Sequence, residues 1–71
     1  MMTVTLTTFA NYIEAHMLQD LLKNEGIESM LQDETTNQVL SPILNIGIQV
    51  LVFDKDLPKA QHILKEAFPN Q

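Results

Sequence analysis

Residues 11–33 read NYIEAHMLQDLLKNEGIESMLQD, and this stretch decides the fold because it joins a capped helix to a strand through a glycine stop. Asn11 is a good N-cap, and Glu14, three residues later, is placed to return a hydrogen bond to the main-chain N–H of the cap residue. Gly26 suits the position just past a helix end, where glycine adopts the left-handed conformation at no steric cost. The pattern therefore predicts a helix that ends before Gly26 and a strand over residues 27–33.

The apolar residues of this helix predict one buried face. They fall within a stripe of about 140°, with Ile13 at its margin, and comprise Ala10, Met17, Leu18, Leu21 and Leu22. Glu14 lies near the centre of that stripe, so two interpretations stay open: a capping role in the first turn, which we favour, or a buried functional carboxylate. His16 lies on the polar side, as does His62 in the last helix, which favours solvated surface histidines over a metal pair.

The residues before the helix predict a half-buried strand. Residues 3–8 read TVTLTT and alternate between apolar and hydroxyl side chains for most of their length, which is the two-residue period of a strand with one wet face. We expect Val4 and Leu6 to face the core. The wet face is expected to carry Thr3, Thr5 and Thr7.

A third strand and a second helix follow later in the chain. Residues 48–53 read IQVLVF and are apolar on both faces except at Gln49, which predicts a central strand or one with both faces covered. Asp54 or Asp56 is then expected to cap a helix that carries Pro58 in its first turn, where a missing N–H costs nothing. The apolar face of this helix comprises Leu57, Ala60, Ile63, Leu64, Ala67 and Phe68.

The two halves of the chain repeat one burial pattern, since a shift of 46 residues places Val4 on Val50 and Met17 on Ile63. Two successive strand–helix units predict one α+β domain over residues 1–71 with a ferredoxin-like βαββα fold. This fold is a two-layer sandwich in which both helices cover one face of a three-stranded sheet. The fourth strand of the usual ferredoxin-like sheet is missing. We expect the first and third strands to lie parallel in the middle. The first strand should remain an unpaired edge, which needs to be covered or paired.

The connection over residues 34–47 is longer than a compact domain usually needs between strands. It begins with polar residues and then carries large aliphatic side chains at Val39, Leu40, Ile43, Leu44 and Ile46. These are too many for a solvated loop, so we expect them to cover their own sheet, to contact a second copy, or to bind another protein or a small apolar ligand. The predicted interaction residues are therefore Val39, Leu40, Ile43 and Leu44, together with Thr3, Thr5 and Thr7 of the first strand.

Composition disfavours several classes of partner. The chain has nine acidic residues against four lysines and no arginine, for a net charge of −5, so nucleic acid and anionic membranes are not expected to bind. It has no cysteine for a disulfide or a thiolate metal site. The N-terminus lacks a signal-peptide pattern and no window approaches a membrane span, so we expect a cytoplasmic protein.

Catalytic chemistry is not indicated either. No arrangement of Ser, His, Asp or Cys offers a nucleophile with a base, and two glycines do not make a phosphate-binding loop. The carboxylates of Asp33, Glu34, Asp54 and Asp56 would form a divalent cation site if they met at one sheet edge. We favour the simpler interpretation, in which the later pair caps a helix and the earlier pair begins a loop. The sequence therefore predicts a non-enzymatic domain with no cofactor and no metal.

Short motifs along nearly the whole chain resemble a known family. They are Glu14-Ala15, Leu21-Leu22, Glu25-Gly26-Ile27, Asp33-Glu34, residues 50–53, Asp56, Ala60 and Ile63-Leu64. They resemble the putative prokaryotic signal-transducing proteins, a domain of unknown function related in shape to the P-II nitrogen regulators. The resemblance implies a ferredoxin-like sandwich that is bacterial, cytoplasmic, regulatory and non-catalytic. The chain is much shorter than P-II proteins and lacks their long tyrosine-bearing loop and ATP-binding residues, so nucleotide binding does not carry over.

Two functions are consistent with these patterns. The first is a regulatory, signal-transduction or protein-interaction module that forms a dimer, or binds another protein, through its exposed strand and its apolar loop. The alternative is a sensor for a small molecule of the amino-acid type, with the ligand held at a dimer seam near Gly26, Asp33 and Glu34.

Overall fold

The computed structural model describes residues 1–33 and 47–71. The elements follow one another as β1 (Thr3–Phe9), α1 (Tyr12–Asn24), β2 (Ser29–Asp33), β3 (Ile48–Phe53), a short 3-10 helix (Asp54–Asp56) and α2 (Leu57–Ala67). Both helices contact the sheet and each other, which makes a two-layer structure. The order and the layers confirm the predicted α+β fold of the ferredoxin-like βαββα type.

The three strands lie in the order β1-β3-β2, and β3 is antiparallel to both neighbours. The expectation that the first and third strands are parallel is therefore wrong. The reason is that α1 carries the chain back, so that β2 runs in the same direction as β1, and the next connection then reverses it into β3. This is a split βαβ unit with β3 inserted between two parallel strands. Within the described residues, β3 is central and β1 is an edge strand, as predicted.

A β-bulge in β1 changes which threonines face outward. Between Thr5 and Thr7 the register against β3 slips by one residue, which leaves Leu6 without a cross-strand partner. The alternation reverses beyond such a bulge, so Thr7 lies opposite the fully buried Val50 on the helix side of the sheet. The prediction for Thr7 is thus wrong, whereas Thr3 and Thr5 are exposed.

The hydrophobic core lies between the sheet and the two helices. It comprises Phe9, Ala15, Leu18, Leu22, Ile27, Ile48, Val50, Val52, Ala60 and Leu64. Each Val, Leu or Ile among these contributes about 1.5–3 kcal/mol through burial. The inner face of β3 supplies alternate residues to this core, and the outer face carries the half-buried Gln49, Leu51 and Phe53, which agrees with a central strand.

The buried line of α1 differs from the predicted one. It consists of Ala15, Leu18 and Leu22, which have no solvent-exposed surface, whereas Met17 is 53 % and Ile13 is 73 % exposed. The helix therefore rests on the sheet along the line of Ala15, Leu18 and Leu22, all of which belong to the core. Because the apolar arc is wider than the strip that the helix buries, its outer part remains in solvent.

Both ends of α1 follow local rules. The side-chain oxygen of Asn11 accepts a hydrogen bond from the main-chain N–H of Glu14 at 3.0 Å, which confirms the N-cap. The carboxylate of Glu14 accepts from the Asn11 side-chain amide at 3.5 Å instead of from the main-chain N–H. Since Glu14 is only half-buried, the buried-carboxylate interpretation is wrong.

A Schellman motif closes the C-terminal end of α1. Gly26 has φ +81°, its N–H donates to the carbonyl of Lys23, and the N–H of Ile27 donates to the carbonyl of Leu22 at 2.9 Å. This hydrogen-bond pair satisfies two carbonyls that the helix end would leave without donors. It also turns the chain so that the buried side chains of Leu22 and Ile27 enter the same core.

The start of α2 differs from the expected capped start. Asp56 occupies the N-cap position with φ −96° and ψ −2°, and its side chain makes no cap hydrogen bond. A capping side chain requires an extended backbone at that position, and the preceding 3-10 helix already holds the chain in a helical conformation. Neither Asp54 nor Asp56 therefore caps α2, although Pro58 lies in the first turn as predicted.

Neither α1 nor α2, nor any other helix in the described ranges 1–33 and 47–71, is long and apolar enough to cross a membrane.

The rotation of α1 can be tested with two neighbouring residues. We expect Leu18→Ala to lower the free energy of unfolding by about 2–5 kcal/mol, because it opens a cavity against the sheet. Met17→Ala should change it by no more than about 0.5 kcal/mol, because that side chain is exposed. Urea denaturation followed by circular dichroism measures both, and equal losses for the two variants would contradict the observed rotation.

Candidate functional site

The outer edge of β1 is the first candidate site. In the part of the chain that the structure describes, β1 pairs with β3 alone, so its other edge presents main-chain N–H and C=O groups for pairing. The strand carries neither a charge nor a proline, which are the usual means of preventing edge-to-edge association. Thr3 and Thr5 are exposed beside this edge, and the Thr5 hydroxyl donates to the side-chain oxygen of Gln49 at 3.2 Å.

One end of this edge is occupied by the residues after α2. The side-chain amide of Gln71 donates to the carbonyl of Thr8 at 3.2 Å. The rings of Phe9 and Phe68 meet edge to face at 5.1 Å between centroids, which holds the end of α2 against β1. The stretch of edge before Thr8 is therefore the part that is accessible to a partner.

The open face of the sheet, on the side away from the helices, has an apolar centre. Leu51 and Phe53 are half-buried there, and Met30 lies across from Leu51 in the register of β2 and is 45 % exposed. This is the sheet surface that the apolar loop was expected to cover. The loop residues Val39, Leu40, Ile43 and Leu44 lie outside the described residues.

A cleft of about 520 Å³ lies where α1 ends and β2 begins. It is lined by Gln19, Asp20, Lys23, Gly26, Ile27, Glu28 and Ser29. The side-chain amide of Gln19 donates to the carbonyl of Ser29 at 3.2 Å. The hydroxyl oxygen of Ser29 is buried and has no hydrogen-bond partner within the described ranges. The cleft thus combines one cation, two carboxylates and an amide around a small opening.

Two of the three predicted ligand residues, Gly26 and Asp33, lie at opposite ends of the segment that contains β2. Gly26 lines the cleft before β2, whereas Asp33 is the last residue of that strand. Residues Ser29 and Asp33 are separated by about 13 Å along an extended strand. Glu34 lies outside the described residues.

Two of the four carboxylates considered for a cation site, Asp33 and Asp54, belong to opposite ends of β3. Asp33 lies opposite Ile48 at the start of β3, and Asp54 follows Phe53 at the other end of that strand. The length of β3 therefore separates the main chains of Asp33 and Asp54 by about 20 Å, and Glu34 lies outside the described residues. Within residues 1–33 and 47–71, His, Cys, Asp and Glu form no group of three or more that would hold a metal ion.

Both histidines are on the surface, as predicted. The ring of His16 stacks on that of Tyr12 with centroids 5.9 Å apart and planes inclined by 27°. The side chain of His62 is 75 % exposed, and its Nε2 lies 3.8 Å from a carboxylate oxygen of Glu66 one turn later. Each histidine has a partner on its own helix, which explains its position without a bound metal.

The outward side of α1 is a surface that the sequence pattern did not predict. Ile13, Met17 and Leu21 lie four residues apart, and they are 73 %, 53 % and 37 % exposed. Beside Leu21, a groove between the two helices is lined by Ile63 and Ala67 of α2. The apolar arc of 140°, with the small Ala15 beside it, was the sequence signal that a single buried strip would not contain every apolar residue.

Comparison with known proteins adds a family to this geometry. A family model described as "Putative prokaryotic signal transducing protein" matches residues 3–67. The chain belongs to this family. The match begins at the first residue of β1 and ends at the last residue of α2, so the family domain is the whole βαββα unit. No curated protein matches, and no solved structure matches.

The Ser29 hydroxyl provides a test of the cleft geometry. We expect Ser29→Ala to leave the free energy of unfolding unchanged or to raise it, because it removes a buried polar group that has no partner among the described residues. Gln19→Ala, the matched control in the same cleft, should lower it by about 1 kcal/mol through loss of the bond to the Ser29 carbonyl. Thermal and urea unfolding measure both, and a large loss of stability in Ser29→Ala would mean that the hydroxyl is bonded.

Proposed function

We propose that this member of the signal-transducing family is a non-enzymatic regulatory module of the cytoplasm that acts by self-association. Two copies pair along residues 3–7 of β1, the part of its outer edge that lies before Thr8. The observation that carries the proposal is that β1 is an uncharged, proline-free edge strand with one paired side within the described residues. An edge of this kind is a template for another strand.

Pairing about a two-fold axis would give the outer edge of β1 the hydrogen-bonding partners that it lacks within the described residues. Antiparallel alignment of β1 with its copy makes a continuous six-stranded sheet in which both β1 edges are hydrogen-bonded. A chain of 71 residues buries only about 60 % of the surface that its unfolded state exposes. A shared sheet therefore adds stability that is difficult to obtain within one copy.

Apolar burial would add to this main-chain pairing. The open face next to the edge carries Leu51 and Phe53, and the chain holds the aliphatic residues Val39, Leu40, Ile43 and Leu44 in the connection before β3. Aliphatic side chains removed from water at an interface contribute about 25 cal/mol for each Å² of apolar surface that they bury. In this proposal those residues contribute burial, and β1 sets the geometry of the pair.

Regulation follows from the concentration dependence of such a pair. The fraction of dimer changes with the amount of protein and with any molecule that binds one form preferentially. A module that signals in this way needs no catalytic group. The family description as signal-transducing proteins agrees with a role of this kind.

Charge on the edge strand tests the proposal. We expect light scattering across a range of concentrations to give a dimer for the intact chain and a monomer for Thr5→Lys, because like charges opposite each other across paired strands repel. Gln32→Lys is the matched control: it adds the same charge to the same sheet face but at the opposite edge, on β2. A dimer that survives Thr5→Lys, or a monomeric intact chain, would contradict pairing along β1.

A Val39→Asp, Ile43→Asp variant in the same series distinguishes the contribution of the loop from that of the strand. If the dimer is lost in this variant and persists in Thr5→Lys, self-association belongs to the loop.

A small-molecule sensor is the second candidate, and the observation that favours it is the cleft beside Gly26. Lys23 would face the carboxylate of an amino acid, and Asp20 and Glu28 its ammonium group, which is the charge pattern of a zwitterion.

A thermal-shift screen of amino acids and nucleotides tests the sensor. If one amino acid binds, we expect its addition at 100 times its dissociation constant to stabilise the fold by about 2.7 kcal/mol. Lys23→Gln should abolish the rise in melting temperature, whereas Lys65→Gln, on the exposed side of α2, should keep it. A flat response across the panel would count against the sensor.

A further inference from the structure

The outward side of α1 forms an apolar ridge on the helix layer, and we call Ile13, Met17 and Leu21 the outer helix face. Residues four apart lie above one another on a helix, so the three side chains make a line of about 12 Å along α1. None of the three belongs to the buried core. Apolar side chains scattered singly on a surface need no explanation, but a continuous line of them indicates a place of contact.

This ridge continues into a groove between the two helices. Leu21 and Glu25 line one wall of the groove, and Ile63 and Ala67 line the other. Ile63 is half-buried, so the apolar floor connects the ridge to the core of the domain. A ridge of residues spaced by four, next to a groove between two helices, is a surface onto which another helix packs.

Carboxylates lie beside both the ridge and the groove, and Lys59 and His62 line the groove as well. Asp20 is exposed between Met17 and Leu21 in sequence, and Glu66 is exposed in the groove. The carboxylate of Glu25 lies 3.9 Å from the ammonium of Lys59, which also donates to the Glu25 carbonyl at 3.4 Å, so this lysine is already engaged. Asp20 therefore remains to attract positive charge from outside, and the exposed Glu66, whose carboxylate lies 3.8 Å from His62 Nε2, adds a second negative charge in the groove.

This charge distribution selects one kind of occupant. A second copy of the chain on this surface would place the same carboxylates opposite each other, at a cost in free energy. A helix with an apolar stripe and flanking lysine or arginine residues is complementary to this surface. Its stripe would contact the ridge, and its basic residues would lie near the carboxylates beside the ridge. Met17, at the centre of the ridge, adapts its unbranched side chain to different apolar partners.

We propose that the outer helix face binds a basic amphipathic helix of another protein. Its apolar stripe packs along Ile13, Met17 and Leu21, and its basic flanks lie near Asp20 and Glu66. The outer helix face belongs to the helix layer, whereas the edge of β1 belongs to the sheet. The two surfaces are therefore separate, and binding here does not depend on self-association along β1.

Selection from a displayed library of helical peptides tests this proposal. The peptides are amphipathic helices of about 18 residues, or five turns, with fixed apolar positions and randomised polar ones, and the intact chain is the bait. We expect enrichment of lysine and arginine at the flanking positions. The affinity of the most enriched peptide, measured by fluorescence anisotropy, should fall by a factor of about 10 or more in an Ile13→Gln, Met17→Gln double variant, because two apolar contacts are lost.

A matched variant and a salt series complete the experiment. Met30→Gln replaces a methionine of similar exposure on the other layer and should leave the affinity unchanged. Raising the ionic strength from about 0.01 M to about 0.15 M shortens the screening length from roughly 30 Å to 8 Å and should weaken binding. Enrichment of acidic or uncharged peptides, or equal affinity for the double variant and Met30→Gln, would overturn the proposal. Light scattering that shows an intact dimer dissociated by the double variant would overturn it as well, since the occupant would then be a second copy.

Discussion

The packing of α1 onto the inner face of β3 is the contact on which the rest of the molecule depends. Leu18 and Leu22 from the helix and Val50 and Val52 from the strand are the largest fully buried side chains in the described residues. Because β3 is hydrogen-bonded on both sides, its position fixes both neighbouring strands. The same face receives Ala60 and Leu64 of α2. A domain this small has no second core to compensate if this contact is lost.

Placing β3 in the centre has a direct consequence for β1. The strand is left at an edge, and the bulge at Leu6 turns the rest of it so that Thr7 and Phe9 face the helices. Phe9 is then buried against Phe68, which brings the residues after α2 to the end of the β1 edge. The same local irregularity therefore completes the core at one end of the strand and leaves Thr3 and Thr5 exposed at the other. This is why a structural requirement and a candidate interaction site share one strand.

Helix α1, like β1, has one side that completes the core and another side that lies in solvent. Helix α1 rests on the sheet along the line of Ala15, Leu18 and Leu22, which are fully buried. Met17 and Leu21 each directly precede a residue of that line, and their side chains do not belong to the core. An apolar surface on the outside of a small acidic domain costs solubility unless it is used, and large exposed apolar surfaces mark contact sites. The rotation of α1 thus creates a second surface of interest, on the helix layer, away from the β1 edge in the sheet.

The local patterns of the sequence determined the elements and much of their ends. Asn11 and Gly26 bound α1 because capping and left-handed backbone geometry depend on neighbours in the chain. The apolar run of residues 48–53 indicated a central strand, because a strand that has neighbours at both edges exposes less of its side chains to water than an edge strand does. Tertiary structure alone decided the direction of β3, the bulge at Leu6 and the rotation of α1. Each of these depends on the distance and register between elements far apart in the chain. For that reason Thr7 and Met17 were assigned to the wrong side, and the groove beside Leu21, which needs both helices in place, had no counterpart in the sequence pattern.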